Sequence, residues 1–136
     1  MARKRVLLID DDPGFRGMMK FILWEKGFDA YVSAGGFLGL RLARRMRPDI
    51  IVLDMDMPGM KGLEVGRRLR GDPRTLAIPI VFISDPQTRR NSTTSAIWDV
   101  SNAAFATKAG SMKELVLLIS RMVAPAIDAA SAEIKA

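Results

Sequence analysis

A run of four aliphatic residues followed by two spaced aspartates, Ile50-Ile-Val-Leu-Asp-Met-Asp56, decides the fold. A run of the same kind, Val6-Leu-Leu-Ile-Asp-Asp-Asp-Pro13, precedes it near the N-terminus. Continuous apolar runs of this length are typical of parallel strands, which are covered by helices on both faces. Three more segments have the length of a strand. The strand candidates are Val6–Ile9, Asp29–Val32, Ile50–Leu53, Ile80–Ile83 and Ala103–Thr107.

Segments of helical length separate these strands. Their apolar residues recur every three or four positions, which is the period of one helix face. The second helix ends at Arg47-Pro48, because a residue that precedes proline avoids the helical region. The helix candidates are the face of Phe15, Met18, Met19 and Ile22, then Phe37–Met46, Leu63–Leu69, the Ser/Thr/Asn-rich segment around Ser92–Val100, and the face of Met112, Leu115, Val116 and Ile119.

This alternation of five strands and five helices predicts a doubly wound α/β fold with a flavodoxin-like, five-stranded parallel sheet. The expected strand order is 2-1-3-4-5. Right-handed crossovers then bring the loops that follow the strands to one edge of the sheet, where such folds bind ligands. Residues 124–136 are rich in alanine and are interpreted as a tail or the start of a linker.

The composition of the 136 residues narrows the chemistry. There is no cysteine and no histidine, so disulfides, thiolate metal sites and histidine catalysis are excluded, and any chemistry rests on carboxylates, Lys, Ser or Thr. No apolar run approaches the roughly 20 residues that span a bilayer, and the basic N-terminus is not followed by a secretory apolar segment. We therefore expect a cytoplasmic protein without membrane contact.

The net charge of +6 raises the possibility of a nucleic-acid partner. Most of the arginines, however, fall in the predicted amphipathic helices, where a solvated polar face is the simpler interpretation. They form two groups, Arg41, Arg44, Arg45 and Arg47, and Arg67, Arg68 and Arg70. No alternation of aromatic and basic residues accompanies them, so the sequence does not favour direct nucleic-acid binding.

Chemically active side chains collect at the ends of the predicted strands. Asp10–Asp12 follow the first strand, Asp54 and Asp56 follow the third, and Ser84 and Lys108 follow the fourth and fifth. Because strands one and three are neighbours in the expected order, their carboxylates should face one another and require a cation or raised pKa values. Mg²⁺ suits such a cluster. A carboxylate, a metal, a hydroxyl and an ammonium are the groups needed to move a phosphoryl group onto Asp54.

Four segments carry a resemblance to a known family. They are Val6–Pro13, Ile50–Gly62, Ile80–Ser84 and Phe105–Lys108, and together they resemble the receiver domain of two-component response regulators, including the chemotaxis regulators. The resemblance extends from about Arg5 to Val123. It implies that residues 1–123 form a receiver domain, a regulatory phosphoprotein module and not an enzyme, with at most self-phosphorylation and self-dephosphorylation.

The resemblance assigns the metal and phosphoryl ligands. It implies that Asp54 is the phospho-acceptor and also a ligand of Mg²⁺. Asp11 would bind the metal directly through its side chain, and Asp10 would bind it through water. Asp56 would contribute its backbone carbonyl.

The resemblance also implies a switch and its partners. Ser84 would turn toward the phosphoryl group, Lys108 would pair with the phosphoryl oxygens, and Phe105 would be the aromatic rotamer coupled to that turn. The phosphoryl group would come from a sensor histidine kinase or a phosphotransfer protein. The output would reach a downstream protein or a lost output domain, and homodimers are possible through the face built from the predicted fourth and fifth helices and fifth strand.

The sequence departs from the family pattern in three places. Ala109 replaces the usual proline after Lys108, and because a cis bond before a non-proline residue costs about 3–4 kcal/mol, we expect a trans bond, which leaves the position of Lys108 open. Asp85 replaces the usual small residue after Ser84, and we expect it to repel incoming phosphate and slow phosphorylation. The long segment between Ser84 and Lys108 suggests a remodelled fourth helix.

Two alternative functions remain at this point. Asp54-Met-Asp56 is also a DxD sequence after an apolar strand, which resembles the haloacid dehalogenase phosphatases, although their further acidic residues lie downstream. The second alternative is a receiver-shaped interaction module that switches poorly or not by phosphorylation, which Asp85 and Ala109 favour.

Each candidate residue also has a structural alternative. Asp10–Asp12 could form a solvated strand end in which Asp12 caps the following helix, with Pro13 at its first position. Lys108 could be a surface lysine, and Ser84 could satisfy a backbone group at the end of a strand. Phe105 could be an ordinary core residue, and the methionines at helical spacing are predicted to lie in the core.

Overall fold

A computed structural model of the chain describes residues 2–85 and 100–123. Five strands and four helices alternate in the described part of the chain. They are β1 Lys4–Ile9, α1 Pro13–Glu25, β2 Phe28–Ser33, α2 Gly36–Met46, β3 Ile50–Asp54, α3 Gly62–Arg70, β4 Ile80–Ser84, β5 Ala103–Thr107 and α4 Met112–Val123. All five strands and these four helices were predicted from the sequence, and no strand end differs from its predicted position by more than two residues.

The strands form one parallel sheet in the order β2-β1-β3-β4-β5, as predicted. The register pairs Ile9 of β1 with Leu53 of β3, and Asp54 of β3 with Ile83 of β4. On the far side, Ser84 of β4 pairs with Thr107 of β5. The carboxyl ends of four neighbouring strands therefore meet at one edge of the sheet.

Alternate residues of the strands serve two cores. Leu7 and Ile9 lie on one face, which packs against α2 and α3, whereas Val6 and Leu8 lie on the other, which packs against α1 and α4. This division follows from the period of two residues in a strand, and it explains why β1 is apolar without interruption. Burial on both faces fixes the register of the central strands and so the positions of the polar residues that follow them.

Helix α1 begins as the sequence predicts but packs through a different row of residues. Asp12 is the N-cap, and its side chain accepts hydrogen bonds from the backbone N–H groups of Gly14 and Phe15, with proline at the first helical position. The buried residues are Phe15, Met19 and Leu23. Met18 is 46% exposed, so its predicted core position was wrong. The helix contacts the sheet along one i, i+4 row, and Met18 lies to the side of that row.

Helix α2 ends at the position that the sequence predicts. Arg47, in the left-handed conformation with φ of 46°, ends α2 before Pro48 as expected. The predicted helix around Ser92–Val100 and the alanine-rich tail of residues 124–136 lie outside the described residues, apart from Val100, which is buried. Among the helices described, none combines the length and apolar character needed to span a bilayer.

Candidate functional site

Three carboxylates converge at the carboxyl edge of the sheet. Each of Asp10, Asp11 and Asp54 offers one oxygen, and these oxygens all lie within 4.8 Å of one another. Asp10 directly follows β1 and Asp54 ends β3, so the pairing of these adjacent strands brings them together. Asp10 and Asp54 are buried, and Asp11 is exposed. The predicted acidic cluster therefore forms, with two of its members held inside the protein.

Backbone amides orient the two buried carboxylates in the same way. The N–H of Asp12 donates to Oδ1 of Asp10 at 2.9 Å, and the N–H of Asp56 donates to Oδ1 of Asp54 at 3.0 Å. In both cases the donor lies two residues after the aspartate. Each carboxylate thus has one oxygen fixed by the chain that follows its strand, which leaves the Oδ2 atoms facing the cluster.

Lys108 meets those two oxygens from the end of β5. Its Nζ lies 2.8 Å from Oδ2 of Asp10 and 3.5 Å from Oδ2 of Asp54, and 4.8 Å from the centre of the Phe15 ring. Its backbone N–H donates to the carbonyl of Ser84 at 2.8 Å, which ties the loop after β5 to the end of β4. The alternative of a surface lysine is therefore excluded by the geometry.

The loop after Lys108 has the predicted backbone form. No cis peptide bond occurs within residues 2–85 and 100–123, so the bond to Ala109 is trans, and Lys108 reaches the carboxylates all the same. Burial alone would lower the pKa of Lys108, but the ion pair with Asp10 and the charge of Asp54 raise it. Lys108 is therefore a fixed positive charge at neutral pH.

One ammonium does not neutralise the cluster. Burial raises the pKa of Asp54 from its ordinary value to about 6; the N–H of Asp56 opposes this shift, the charge of Asp10 adds to it, and Lys108 opposes it again. Oδ2 of Asp10 is buried and accepts no well-formed hydrogen bond from the described residues, so its contact with Lys108 is an ion pair. Carboxylate oxygens that are held together and incompletely compensated fit a hard divalent cation such as Mg²⁺.

Ser84 stands beside this cluster without a partner of its own. Its side chain is buried, and its Oγ makes no hydrogen bond to any described residue. The alternative that it satisfies a backbone group at the strand end is therefore not supported. A buried hydroxyl without a partner is costly, and it is commonly found where a ligand or a second conformation supplies the partner.

The remaining candidates lie farther from the carboxylates. Asp56 is half-buried and is not part of the group of three, and the role expected of its backbone carbonyl stays a prediction. Phe105 is half-buried on β5, opposite Phe82 of β4. Asp85 is exposed and is likewise outside the group of three, so the effect expected of it on phosphorylation stays a prediction.

Sequence reasoning missed two residues that shape the site. The first is Phe15, whose ring faces the ammonium of Lys108. The second is Gly62, at the start of α3, where a Cβ atom would lie 2.2 Å from the carbonyl oxygen of Asp54 and 2.8 Å from the Cα of Met55. Only glycine allows this approach. In the sequence, Gly62 is a glycine at the start of a helix, eight residues after the aspartate that ends a strand. That spacing does not indicate a close contact until the fold is known.

Comparison with known proteins identifies the class that this fold and site define. Residues 6–120 match the family described as the response regulator receiver domain, and the chain belongs to that family. The DNA-binding response regulator MtrA of Mycolicibacterium smegmatis is 35% identical over 116 residues, which are 84% of this chain and 48% of that protein. The transcriptional regulatory protein AfsQ1 of Streptomyces coelicolor is 42% identical over 79 residues, or 58% of this chain and 34% of that protein.

Solved structures agree on the fold. The receiver domain of the Francisella response regulator 1452 is 25% identical with a TM-score of 0.78, covering 90% of this chain and 98% of that one. The receiver domain of a sensor histidine kinase from Pseudomonas aeruginosa, 23% identical with the same TM-score of 0.78 and the same coverage of 90% and 98%, holds a magnesium ion in its active site cleft. The family is regulatory, so the phosphatase alternative is set aside. The chain spans about half, or less, of the length of these curated relatives.

Proposed function

We propose that this receiver domain accepts a phosphoryl group on Asp54 in the presence of Mg²⁺ and signals by a change of conformation. The observation that carries the proposal is the convergence of three carboxylates and the Lys108 ammonium at one edge of the sheet, beside the unpartnered hydroxyl of Ser84. In the transfer, a carboxylate oxygen of Asp54 attacks phosphorus and the bond from phosphorus to the donor breaks. The product is an acyl phosphate, which water later hydrolyses.

Asp10, Asp11, Asp54 and the backbone carbonyl of Asp56 would hold the metal. When bound, Mg²⁺ would supply the positive charge that offsets the negative charge accumulating during the transfer. The raised pKa of Asp54 supports this role. Burial and the charge of Asp10 disfavour the ionised carboxylate, and a bound cation would offset that cost.

Lys108 and Ser84 would stabilise the phosphorylated state. The ammonium of Lys108 contacts Oδ2 of both buried aspartates, so it lies within reach of a phosphoryl group on Asp54. The Oγ of Ser84 has a hydrogen bond to donate and no acceptor among the described residues. A phosphoryl oxygen would supply that acceptor, and the rotation of Ser84 toward it would free space for Phe105 to turn on the neighbouring strand.

The partners follow from the same chemistry. The donor would be a phosphohistidine on a sensor histidine kinase or a phosphotransfer protein of the cytoplasm. We further propose that residues 1–123 are the receiver domain and that residues 124–136 form a tail or the start of a linker. The output would be a downstream protein, a homodimer, or an output domain of the kind implied by the DNA-binding and transcriptional names of the relatives.

One observation favours a second candidate, an interaction module that switches poorly. Asp85 adds a carboxylate directly after Ser84, where it would repel an incoming phosphate. The Ala109 argument for this candidate is weakened, because Lys108 reaches the carboxylates with a trans bond.

The test is the intact mass of the protein after incubation with Mg²⁺ and acetyl phosphate, with an Asp54→Ala variant in parallel. Addition of one phosphoryl group to the wild-type chain, and none to the variant, supports the proposal. If acetyl phosphate and a purified kinase both leave the mass unchanged while Mg²⁺ still binds, the interaction module is the better account. An Asp85→Ala variant that becomes phosphorylated in that case would identify Asp85 as the cause.

A further inference from the structure

Three aromatic side chains are exposed around one groove, far from the acidic cluster. Phe21 is 66% exposed, Trp24 53% and Tyr31 41%. They line a cavity of about 540 Å³ between the second half of α1 and the first half of β2, the edge strand of the sheet. Exposed apolar patches of this kind on a folded domain usually mark a site of interaction.

The floor of the groove is open because of a glycine. Gly17 lies in α1 and lines the cavity, and a Cβ atom built on it would meet nothing within 4 Å. Helix interiors normally disfavour glycine relative to alanine by up to about 1 kcal/mol. No packing within the described residues requires a glycine here, whereas a larger residue would fill the groove.

Cations frame the aromatic side chains. The guanidinium of Arg3 lies 3.5 Å from the centre of the Trp24 ring and donates to the Trp24 carbonyl at 2.8 Å. The guanidinium of Arg5 lies 5.3 Å from the Tyr31 ring and donates to the Met46 carbonyl at the end of α2, so it is already engaged. Lys20 also lines the groove. Within the described part of the chain, none of these three cations forms an ion pair.

A basic groove elsewhere among the described residues differs in this respect. It lies between α2 and α3, where Arg44 and Arg74 pair with Asp72, and Arg68 pairs with Glu64. Its arginines are therefore already matched by carboxylates of the same chain. The cations around Trp24 and Tyr31 lack such matches, and the acidic residue that lines their groove is Asp29.

We propose that this groove docks an acidic segment of a partner protein, whose aliphatic side chains enter between Trp24 and Tyr31 and whose carboxylates pair with Arg3 and Lys20. Opposite charge favours such a segment. A second copy of this chain would bring the same cations against one another.

The groove lies far from the carboxylates that are proposed to take part in phosphoryl transfer. Trp24 lies twelve residues after Asp12, the cap beside the acidic cluster, which corresponds to about 18 Å along α1 at a rise of about 1.5 Å per residue. A segment bound at Trp24 leaves the carboxyl edge of the sheet open. The proposal therefore does not rest on phosphorylation, and an Asp54→Ala variant should bind the segment as well as the wild type does.

The probe is a random peptide library displayed on phage and selected on the full chain. We expect the selected peptides to be rich in Asp and Glu around aliphatic residues, and synthetic copies to lose about tenfold or more in affinity for Trp24→Ala and for Arg3→Glu, as measured by fluorescence anisotropy. Gly17→Leu, which fills the groove while favouring the helix, should abolish binding. Phe37→Ala, which removes an exposed aromatic side chain from α2, is the matched control and should bind normally.

Three outcomes would overturn the proposal. Selected peptides that are neutral or basic, or that bind Gly17→Leu as tightly as the wild type, would exclude an acidic segment in this groove. Self-association of the chain that Trp24→Ala abolishes would assign the groove to a second copy. Binding to phosphatidylserine vesicles that requires Trp24, without any peptide binding, would assign it to a membrane surface.

Discussion

Replacing Asp54 with asparagine should stabilise the fold when no metal is present. The substitution keeps the size of the side chain and an oxygen that can accept the hydrogen bond of the Asp56 N–H, but it removes a buried negative charge beside Asp10. Because burial raises the pKa of Asp54 to about 6, the ionised form is less favourable in the folded protein than in the unfolded chain.

The magnitude and the pH dependence follow from that shift. The pKa rises from 3.8 to about 6, and at about 1.4 kcal/mol per unit the charge of Asp54 destabilises the fold by at most about 3 kcal/mol. The folded state binds more protons than the unfolded state between these two values, so the wild type loses stability as the pH rises from about 4 to 6. Above pH 6 the advantage of Asp54→Asn should be fully present, and below pH 4 it should vanish.

The assay is urea unfolding at pH values from 3.5 to 8 in EDTA, followed by tryptophan fluorescence, with the free energy of unfolding compared at each pH. We expect an advantage of about 1–3 kcal/mol at pH 8, since the burial of the amide offsets part of the gain. Glu25→Gln, at an exposed position of α1, is the control and should show no such dependence. An Asp54→Asn variant that is less stable than the wild type at pH 8, or an advantage that does not change with pH, would refute the reasoning.

Three further substitutions test other contacts of the site and fold. Lys108→Met removes the cation between Asp10 and Asp54 and should lower the free energy of unfolding at pH 8 by about 2–4 kcal/mol. The loss should be smaller in an Asp54→Asn background, where only the pair with Asp10 is broken, and a double-mutant cycle measures the difference. Gly62→Ala places a Cβ 2.2 Å from the Asp54 carbonyl and should cost about 3 kcal/mol or more in urea unfolding, whereas Gly17→Ala should be neutral or stabilising. Arg70→Gln removes hydrogen bonds to the carbonyls of residues 101 and 102 and should cost about 1–2 kcal/mol and speed hydrogen exchange at the start of β5.

A specific result would contradict each of these three predictions. Additive effects of Lys108→Met and Asp54→Asn would mean that the ammonium and the carboxylate do not interact in solution. Equal stability of Gly62→Ala and the wild type would contradict the close approach of α3 to β3. Unchanged exchange at residues 103–107 in Arg70→Gln would show that α3 does not hold the start of β5.

Most of the fold was predictable from the sequence, because continuous apolar runs indicate parallel strands that are covered by helices on both faces. Residues 103–107 were predicted as a strand with the bounds that the structure has, because a run of small residues fits a parallel strand that is covered on both faces. Met18 was placed in the core incorrectly. Periodicity identifies the apolar face of a helix, but it does not identify which row of side chains on that face packs against the sheet.

The convergence of Asp10, Asp54 and Lys108 was predictable once the strand order was known, since all three follow neighbouring strands. Three other features were not predictable. The unpartnered hydroxyl of Ser84 and the contact of Gly62 with Asp54 depend on distances of a few ångströms between separate elements. The exposure of Trp24 and Tyr31 goes against their residue type, and only the packed structure reveals it.

The central claim, that Asp54 is the phospho-acceptor, is tested most directly by chemical trapping. Borohydride reduces an aspartyl phosphate to homoserine, so the protein is incubated with Mg²⁺ and a phosphodonor, reduced, digested and sequenced by tandem mass spectrometry. The account predicts homoserine at position 54 and at no other aspartate, with none when Mg²⁺ is replaced by EDTA. Homoserine at position 10, 11 or 56 instead, or the same yield at position 54 without the metal, would contradict it.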